Sequence, residues 1–529
     1  MQSYALTVDR FLDHAAKWFG DHQVVWGERG AVVSRYGYAD LRARANRLSG
    51  ALAAIGMRPG DRVGTLAWNT PHHLEIYYGV MGAGSVCHTL NPRLTAAQLA
   101  AMIDEADDRI LAVAVDLLPL AREVLPLCPR VHHVVVLDGE PAAPAIEGNA
   151  TFLPLATLLA QHGADAVWGD FAEEAPAGLC YTSGTTGRPK GVLYTHRSNY
   201  LHTLRALQAD AVALTATDTL LLAVPMFHAN GWGLPFAAPA AGTRLVLPGR
   251  HLDGASLARL IRDERVTVAV GVQTVWLGLV DQLDRTGEEL PSLERVIIGG
   301  SNCPDALLER LRARLGAAVQ TSWGMTELSP IGTIAPPTAA PGVSGSAGRP
   351  PLGLDLKLTD AEGRTLPEQR DTEGHLKVRG PSVVDRYFGA AEDATDADGW
   401  FDTGDLATID AAGNLTIGGR AKDLIKSGGE WINPAEIEAI VGAHPDVRHV
   451  AVIARADPRW GERPVLVVEG ETAGGTAPLL ALLRGKVADW WIPDRVATVG
   501  AMPLAATGKI DKLRLRADYE QGLLVTEPV

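Results

Sequence analysis

The chain carries, at positions 181–191, the stretch Tyr181-Thr-Ser-Gly-Thr-Thr-Gly-Arg-Pro-Lys190-Gly191. Glycines let a backbone approach an anion closely, and hydroxyl groups beside successive backbone N–H groups form an anion-binding concavity. The flanking segments 177–181 and 191–195 have the apolar character of short strands. We therefore predict a strand-loop-strand unit whose loop binds phosphate. The predicted phosphate-binding residues are Thr182, Ser183, Gly184, Thr185, Thr186, Gly187 and Lys190.

Two other interpretations of this stretch are weaker. The nucleotide-binding P-loop requires G-x-x-x-x-G-K-[ST] before a helix, but Gly184 and Gly187 have the wrong spacing and Lys190 precedes Gly191. A flexible linker has a similar composition, but linkers rarely have a strand on each side. The linker stays open as the less favoured alternative.

Length and charge limit the kinds of protein to consider. The 529 residues, of which 47% are hydrophobic, exceed what one core normally serves, so we expect several cores and at least one separate domain. The formal net charge is −14, and no run of Lys and Arg resembles a surface that follows a phosphate backbone. This composition disfavours non-specific binding of nucleic acid.

Targeting signals and metal motifs are not evident in the sequence. It has no apolar stretch of membrane-spanning length, and its first residues lack the apolar centre of a signal peptide. The four cysteines, Cys87, Cys128, Cys180 and Cys303, are scattered, without C-x-x-C spacing. We expect reduced, mostly structural thiols in a cytoplasmic protein without an integral membrane span.

The pattern along the chain predicts its organisation. Amphipathic helices alternate with short buried strands through about residue 300, which predicts an α/β fold with largely parallel sheet. After the Pro- and Gly-rich segment 335–351, shorter strands and turns predict a β-rich subdomain. From about residue 422 we predict a small α+β unit, with a helix at 434–441, a strand at 447–454 and a helix at 479–491. The predicted domains are 1–421 and 422–529.

Six further signatures follow the loop at 181–191 along the chain. They are Pro225-Met-Phe-His-Ala-Asn-Gly-Trp232, Gly299-Gly-Ser301, Trp323-Gly-Met-Thr-Glu327, Thr403-Gly-Asp-Leu406, Gly419-Arg-Ala-Lys-Asp423 and Thr507-Gly-Lys-Ile510. With these signatures in this order, the chain resembles the acyl-adenylate-forming superfamily over almost its whole length. The resemblance implies a large N-terminal body of two α/β sheet subdomains plus a β-rich subdomain, and a small mobile α+β C-terminal domain.

The resemblance also implies a nucleotide site. Asp405 would accept the ribose hydroxyls, Arg420 would reach the ribose-phosphate part, and Thr326 would contact the α-phosphate. Glu327 would hold Mg²⁺, which prefers one or two carboxylates plus phosphate oxygens. Trp323, at a position where Tyr is commoner, would stack on adenine. The other implied nucleotide-binding residues are Gly299, Gly300, Ser301, Gly324, Met325 and Lys426.

Lys509 is the residue that the resemblance places between the carboxylate and the α-phosphate during adenylation. The implied catalytic residues are accordingly Thr182, Glu327 and Lys509. Taken alone, Lys509 also fits an exposed lysine of a basic tail, Asp405 fits a turn residue, and Arg420 fits a solvated charge.

The second half of the reaction is assigned to the C-terminal domain by the resemblance. Lys422 and Asp423 stand at the family's hinge, about which that domain would reorient after adenylation. Gly428 and Gly429 would then line the channel for the pantetheine arm of coenzyme A. Trp431 would gate the acyl tunnel, as in fatty acyl-CoA synthetases; a surface Trp that covers the hinge is the alternative.

The acyl pocket is the least specific part of the resemblance. Its implied members are His228, Trp232, Val272, Trp276, Asn302, Met325 and Trp431. A histidine after a buried strand is more often a core or capping group than a catalyst, so we expect His228 to shape the substrate site.

The implied function is that of an ATP-dependent, AMP-forming carboxylic acid:CoA ligase that uses ATP, Mg²⁺ and coenzyme A. A medium-chain or functionalised alkanoate, such as a methylthioalkanoate, is the expected acid. Branched or arylalkanoic acids, an enzyme that loads a carrier protein and a non-catalytic nucleotide-binding protein are the alternatives. The resemblance also allows a homodimer, for which the sequence fixes no interface.

Overall fold

The computed structural model describes all residues except 1, 3, 141–145, 183–188, 301, 302, 304, 338–344, 429, 445, 471–474, 506–508 and 529. For 146, 147 and 528 it describes the backbone alone. Within this part of the chain the strands form four sheets, named I to IV below.

Sheet I has eight strands in the order β16-β15-β14-β13-β11-β12-β1-β2. Their bounds are β1 Gln23–Glu28, β2 Ala31–Gly37, β11 Thr219–Leu222, β12 Arg244–Leu247, β13 Val268–Val272, β14 Arg295–Gly299, β15 Ala318–Gly324 and β16 Ile331–Ile334. The six inner strands pair in parallel, whereas β2 and β16 join the two edges antiparallel.

Sheet II repeats this plan with the order β10-β9-β4-β3-β5-β6-β8-β7. Its strands are β3 Arg62–Leu66, β4 Val86–Thr89, β5 Ile110–Val113, β6 His133–Val136, β7 Ile146–Glu147, β8 Ala150–Pro154, β9 Pro176–Tyr181 and β10 Gly191–Thr195. The edge pair of β9 and β10 is antiparallel, with Tyr181 opposite Gly191. The two strands predicted around the phosphate loop are therefore confirmed.

Eleven of the helices precede sheet III, and most of them cover the faces of the first two sheets. They are α1 Asp9–Trp18, α2 Tyr38–Ala54, α3 Pro71–Gly82, α4 Ala96–Ala106, α5 Leu118–Val124, α6 Leu155–His162, α7 His196–Ala206, α8 Leu234–Ala241, α9 Gly254–Asp263, α10 Gln273–Thr286 and α11 Asp305–Leu315. Several begin at side-chain caps: the Thr95 hydroxyl accepts from the N–H of Gln98 at α4, and Thr195 does the same for Ser198 at α7.

The main core lies between sheets I and II. Leu220 and Leu222 of β11 belong to it together with Val63 of β3 and Val135 of β6. Leu221, between the two leucines, faces a separate cluster on the other side of sheet I. Because successive side chains of a strand point to opposite faces, β11 is buried on both sides, which explains its continuous apolar run.

Sheets III and IV follow the Pro- and Gly-rich segment. Sheet III is an antiparallel meander of β17 Asp355–Thr359, β18 Glu373–Arg379, β19 Phe401–Ile409 and β20 Leu415–Arg420. Sheet IV contains β21 Ile425–Ser427, β22 Glu430–Ile432, β23 His449–Asp457, β24 Gly461–Glu469, β25 Arg495–Val499 and β26 Thr526–Pro528, with helices α12 Pro434–Gly442, α13 Ala477–Ala481 and α14 Lys512–Glu520. The predicted α/β class is confirmed, while the domain boundary near residue 422, between these two sheets, stays a prediction.

One predicted helix is wrong. The segment 479–491 was expected to form a continuous helix, but α13 ends at Ala481 and a separate 3₁₀ turn covers Asp489–Trp491. Gly485 lies between them with φ +72°, a left-handed conformation that a right-handed helix cannot contain. Among the helices of the described residues, none is long and apolar enough to cross a membrane.

Buried histidines make the fold sensitive to acid. Burial lowers the pKa of His73 to about 4 and that of His196 to about 3, and it lowers the pKa of His202 well below its usual value. In the unfolded chain these groups take up a proton near pH 6.5, so protonation favours unfolding as the pH falls below that value. We expect the urea concentration at the midpoint of unfolding to decrease as the pH is lowered from 7.5 to 5.5.

Variants separate this effect from general acid sensitivity. His202→Gln should flatten the dependence of the urea midpoint on pH over that window. His162→Gln, at an exposed position, should leave the dependence unchanged. A midpoint of the unaltered protein that is the same at pH 7.5 and pH 5.5 contradicts the prediction.

Candidate active site

A cavity of about 490 Å³ opens where the carboxyl ends of the sheet I strands meet sheet III and the C-terminal segment. Ligand sites of α/β folds are commonly found at this edge of the sheet. Its wall brings together distant parts of the chain. They are Thr182, the loop after β11 with His228 and Trp232, Val272, Gly300, the run from Ser322 to Glu327, Arg420, Lys422, Asp423 and Lys509.

One described end of the phosphate loop, Thr182, lines this cavity. The backbone N–H of Thr182 donates to the carbonyl of Lys190 at 2.9 Å, which closes the base of the loop. The Lys190 ammonium lies 4.7 Å from the ring centroid of Tyr387. The predicted residues Ser183, Gly184, Thr185, Thr186 and Gly187 lie outside the described part of the chain, as do Ser301, Asn302 and Gly429.

Glu327 is held in a buried 3₁₀ turn, Thr326–Leu328, just after β15. Its Oε1 accepts a hydrogen bond from the Tyr387 hydroxyl at 2.9 Å. Burial raises the pKa of the Glu327 carboxyl, and the hydrogen bond from Tyr387 and the charges of Arg420 and Lys190 act against that rise. The carboxylate is thus fixed by one oxygen beside two cationic side chains.

Two residues of the β10–α7 region hold this turn in place. The Tyr194 hydroxyl donates to the carbonyl of Thr326 at 2.8 Å. The Arg205 guanidinium donates to the carbonyl of Ile331 at 2.8 Å and to that of Leu328 at 3.3 Å. Burial lowers the pKa of Arg205 to about 10. Sheet II therefore positions a loop that belongs to sheet I.

Asp405 stands opposite Arg420 in the β19–β20 pair, and both of its oxygens are engaged. Arg420 Nε lies 2.7 Å from Oδ1, and the Trp323 indole N–H donates to Oδ2 at 2.9 Å. The residue is only 2% exposed. Burial raises its pKa, while Arg420, Trp323 and Lys509 favour the ionised form.

Lys509 enters the same cavity from the C-terminal segment. Its surface is open to the cavity, but protein surrounds its ammonium group, and this desolvation and the Arg420 charge lower its pKa. Asp405 and Glu327 act in the opposite direction. Glu327, Arg420 and Lys509 thus line one cavity, and Asp405 joins this cluster through its ion pair with Arg420.

The loop after His228 has an unusual backbone. Ala229, Asn230, Gly231, Trp232 and Gly233 have φ values of 43°, 51°, 58°, 59° and 74°. This left-handed conformation costs roughly 1–2 kcal/mol for each residue that is not glycine, and such strain is concentrated at functional sites. The pKa of His228 falls to about 4, mainly through burial and also through the Lys509 charge, so the ring is neutral near pH 7.

Trp232 separates the cavity from a second, smaller space. A Cβ on Gly299 would lie 2.7 Å from Cη2 of Trp232 and 2.4 Å from the Ser322 hydroxyl, so only glycine fits beside the indole. The small apolar space behind it is lined by Trp232 and Ser322 together with Val212, Leu234, Val270, Ile297, Ile331 and Ile334. The indole is therefore a partition between a wide cavity and a closed apolar one.

Several predicted site residues lie away from the cavity. Trp276 is fully buried among the helices on the outer face of sheet I, where its indole N–H donates to the carbonyl of Ile297 at 3.3 Å. This places Trp276 in the core, because α10 turns its indole towards the sheet and not towards the pocket. Trp431 is 53% exposed, with the Lys426 ammonium 5.4 Å from its ring centroid. Gly428 has φ +61° and packs against Trp460.

The sequence analysis missed three residues that contact the predicted site. Tyr387, Tyr194 and Arg205 act on Glu327 or on the turn that carries it. None belongs to a signature used above. Tyr194, in the strand after the loop, is the one whose position the strand-loop-strand pattern could have indicated.

The comparisons with known proteins agree over the whole chain. A family model described as AMP-binding enzyme matches residues 12–388, and one described as AMP-binding enzyme C-terminal domain matches residues 436–509. The chain is 43% identical to the 3-methylmercaptopropionyl-CoA ligase of Ruegeria pomeroyi, over 99% of each chain. It is 42% identical to the medium-chain-fatty-acid–CoA ligase of Ectopseudomonas oleovorans, over 99% of this chain and 98% of that protein.

A solved structure extends the similarity to a ligand complex. The O-succinylbenzoate coenzyme A synthetase of Bacillus subtilis, in complex with ATP and magnesium ion, superposes with a TM-score of 0.81 at 25% identity, over 96% of this chain and 99% of that one. Matches of this extent, to both family models and to full-length ligases, show that the chain belongs to the AMP-binding enzyme family and is an acyl-CoA ligase.

Proposed function

We propose that this enzyme activates a medium-chain or functionalised alkanoic acid, such as a methylthioalkanoate, as acyl-AMP and then transfers the acyl group to coenzyme A. The observation that carries the proposal is the meeting of Lys509, Glu327 and Arg420 on the wall of one cavity, with Asp405 paired to Arg420 at 2.7 Å. Asp405 and Glu327 are buried, and Arg420 and Lys509 bring positive charges to them from distant parts of the chain. This arrangement suits a nucleotide, because the phosphates need positively charged partners and the ribose hydroxyls need a carboxylate that accepts their hydrogen bonds.

In the first half-reaction, the carboxylate of the acid attacks the α-phosphorus, and the bond to pyrophosphate breaks. Lys509 offsets the repulsion between the carboxylate and the α-phosphate as they approach each other, and Thr326 holds an α-phosphate oxygen. Thr182 and Lys190 bind the departing pyrophosphate. Catalysis of this kind depends on positioning and on preorganised charge, without a covalent protein nucleophile.

Glu327 fits the needs of magnesium. Among the described residues there is no cluster of three or more metal-binding side chains, but magnesium bound to a nucleotide needs only one or two carboxylates plus phosphate oxygens and water. Glu327 Oε1 is engaged by Tyr387, and Oε2 would serve the metal. When bound, the metal neutralises phosphate charge.

The second half-reaction depends, in this proposal, on a hinge at Lys422 and Asp423 between domains 1–421 and 422–529. Asp423 now pairs with Arg516 at 2.9 Å, on the cavity wall. Rotation would withdraw Lys509 and bring Gly428, Gly429, Lys426 and Trp431 to the cavity. The exposure of Trp431 supports this role, because a large exposed indole is available for a new interface.

The choice of acid rests on the cavity wall and on the relatives. Phe227, Val272, Met325 and Ile331 supply apolar surface, and neutral His228 adds a polar group. A thioether or a short alkyl chain suits such a wall. Each buried methylene contributes about 0.8 kcal/mol, so preference should change gradually with chain length. The curated relatives named above act on acids of these two kinds.

Location and assembly belong to the proposal as well. The four cysteines are buried, which fits the reducing cytoplasm. The homodimer stays a prediction of the resemblance.

The proposed function is tested by release of AMP from ATP with a panel of carboxylic acids, with and without coenzyme A. We expect methylthioalkanoates and medium-chain alkanoates to give the highest kcat/KM, and sustained turnover only when coenzyme A is present. A preference for arylalkanoic acids contradicts the proposed acid. Turnover that needs a carrier protein in place of coenzyme A contradicts the ligase assignment of the second step.

Lys509→Ala should impair only the first half-reaction. A positive charge about 4 Å from the reacting oxygens, at an effective dielectric of ~20, contributes roughly 4 kcal/mol, or about a thousandfold in rate. Pyrophosphate release should fall by that order, while thioester formation from synthetic acyl-AMP should continue. Lys486→Ala, an exposed lysine of the same domain, is the control. Equal loss of both half-reactions would show that Lys509 is not specific to adenylation.

Trp323→Phe keeps an aromatic face but removes the indole N–H that fixes Asp405. It should therefore weaken recognition of the ribose. Loss of one hydrogen bond to a carboxylate changes affinity by about tenfold. The preference for ATP over 2′-deoxyATP, measured as a ratio of binding constants, should fall by that amount. Trp168→Phe removes a similar indole hydrogen bond, to Ser49 at 2.9 Å, away from the cavity. An unchanged preference in Trp323→Phe refutes the role.

A further inference from the structure

Tyr387 touches two groups of the active site that come from different sheets. Its hydroxyl donates to Glu327 Oε1 at 2.9 Å, and its ring faces the Lys190 ammonium at 4.7 Å. Glu327 follows β15 of sheet I, whereas Lys190 precedes β10 of sheet II. One side chain is therefore in contact with both the carboxylate and the cation that the proposed function assigns to ATP.

The segment that carries Tyr387 is anchored on both sides of this position. The backbone N–H of Val384 donates to the carbonyl of Glu327 at 2.8 Å, and that of Phe388 donates to the carbonyl of Gly191 at 2.8 Å. The backbone thus joins the turn of Glu327 to the strand that follows the phosphate loop. These two contacts hold the backbone on both sides of Tyr387 and tie it to both of the segments that its side chain contacts.

The two contacts differ in kind. A hydroxyl that donates to a carboxylate forms a charge-assisted hydrogen bond, which fixes the direction of that oxygen. A cation over an aromatic face is held by the ring's quadrupole, which sets distance but restricts direction less. The hydroxyl therefore orients Glu327 for the metal, and the ring limits the positions open to Lys190.

We propose that Tyr387 is a positioning residue that couples the metal-binding carboxylate, Glu327, to the lysine of the phosphate loop, Lys190. The proposal rests on the proposed function, in which Glu327 holds magnesium and Lys190 holds pyrophosphate. Tyr387 itself is not among the residues that line the cavity. Its effect is on how metal binding and nucleotide binding support each other. It would orient Glu327 for the metal and place Lys190 for the phosphates of the same nucleotide.

Calorimetry in the absence of the acid tests this role by binding alone. The Kd of ATP is measured in EDTA and in saturating Mg²⁺. The Kd in EDTA divided by the Kd in Mg²⁺ is the ratio that gives the coupling of metal and nucleotide. Tyr387→Phe keeps the ring and removes the hydroxyl, so the ratio should fall by about tenfold while the Kd in EDTA stays the same. Tyr387→Leu removes the ring as well and should in addition weaken binding of pyrophosphate by about two- to fivefold.

Two further variants separate the possible failures. Tyr36→Phe removes a similar hydroxyl, which donates to Glu75 at 2.6 Å away from the cavity, and should leave the ratio unchanged. Glu327→Gln should itself lower the ratio. If it does not, the metal assignment of the proposed function fails; if it does and Tyr387→Phe keeps the ratio of the unaltered enzyme, only the role of Tyr387 is overturned.

A structural role has a distinct signature. If Tyr387 only packs, Tyr387→Phe should change the Kd of ATP equally in Mg²⁺ and in EDTA, which would overturn the proposal. Because the phenylalanine variant keeps the ring and its packing, its result decides the question even if Tyr387→Leu fails to fold.

Discussion

The ion pair of Asp405 and Arg420 is the interaction on which the rest of the site depends. A buried carboxylate is costly unless it is paired and hydrogen-bonded, and here Arg420 at 2.7 Å and the Trp323 indole at 2.9 Å engage its two oxygens. Trp323 belongs to sheet I, whereas Asp405 and Arg420 belong to sheet III. Because the buried carboxylate of Asp405 binds partners from both sheets, it joins sheet I to sheet III beside the cavity.

The same pair prepares a place for Lys509. Arg420 lowers the pKa of this lysine, and Asp405 acts against that effect. A lysine that approached Arg420 alone would meet unopposed repulsion. With the Asp405 carboxylate nearby, the C-terminal segment can bring its cation into the cavity at a smaller electrostatic cost. The charge of Asp405 therefore favours the position of Lys509 in the cavity, although Lys509 lies about a hundred residues further along the chain.

The sequence predicted those parts of the site whose chemistry is local. The run of glycines and hydroxyls between two apolar segments indicated β9, the loop and β10, because the strands and the loop are contiguous. The resemblance likewise supplied Arg420, Glu327 and Lys509, which line one cavity, and Asp405, which pairs with Arg420. Taken alone, Asp405, Arg420 and Lys509 also fitted a turn residue, a solvated charge and a lysine of a basic tail, so their roles came from the resemblance and not from the single motifs.

What the sequence did not predict depends on contacts between distant segments. Trp323 was expected to stack on a base, and nothing in its motif indicates that its N–H reaches Asp405. Tyr387 belongs to no motif, since its role comes from the approach of three segments. Trp276 lies in the core and not on the cavity wall because helix orientation, not proximity in sequence, decides which way an indole points. The broken helix at 479–491 follows from one left-handed glycine.

The partition formed by Trp232 has a consequence for how such enzymes diversify. The indole is carried by a short left-handed loop and packs against Gly299 of β14 and the main core, while the ion pair of Asp405 does not involve it. A change at this one position would merge two spaces that already exist, without rebuilding the sheet beneath them. In the proposed function, a smaller side chain at position 232 would enlarge the acid pocket and leave the ion pair of Asp405 and Arg420 in place.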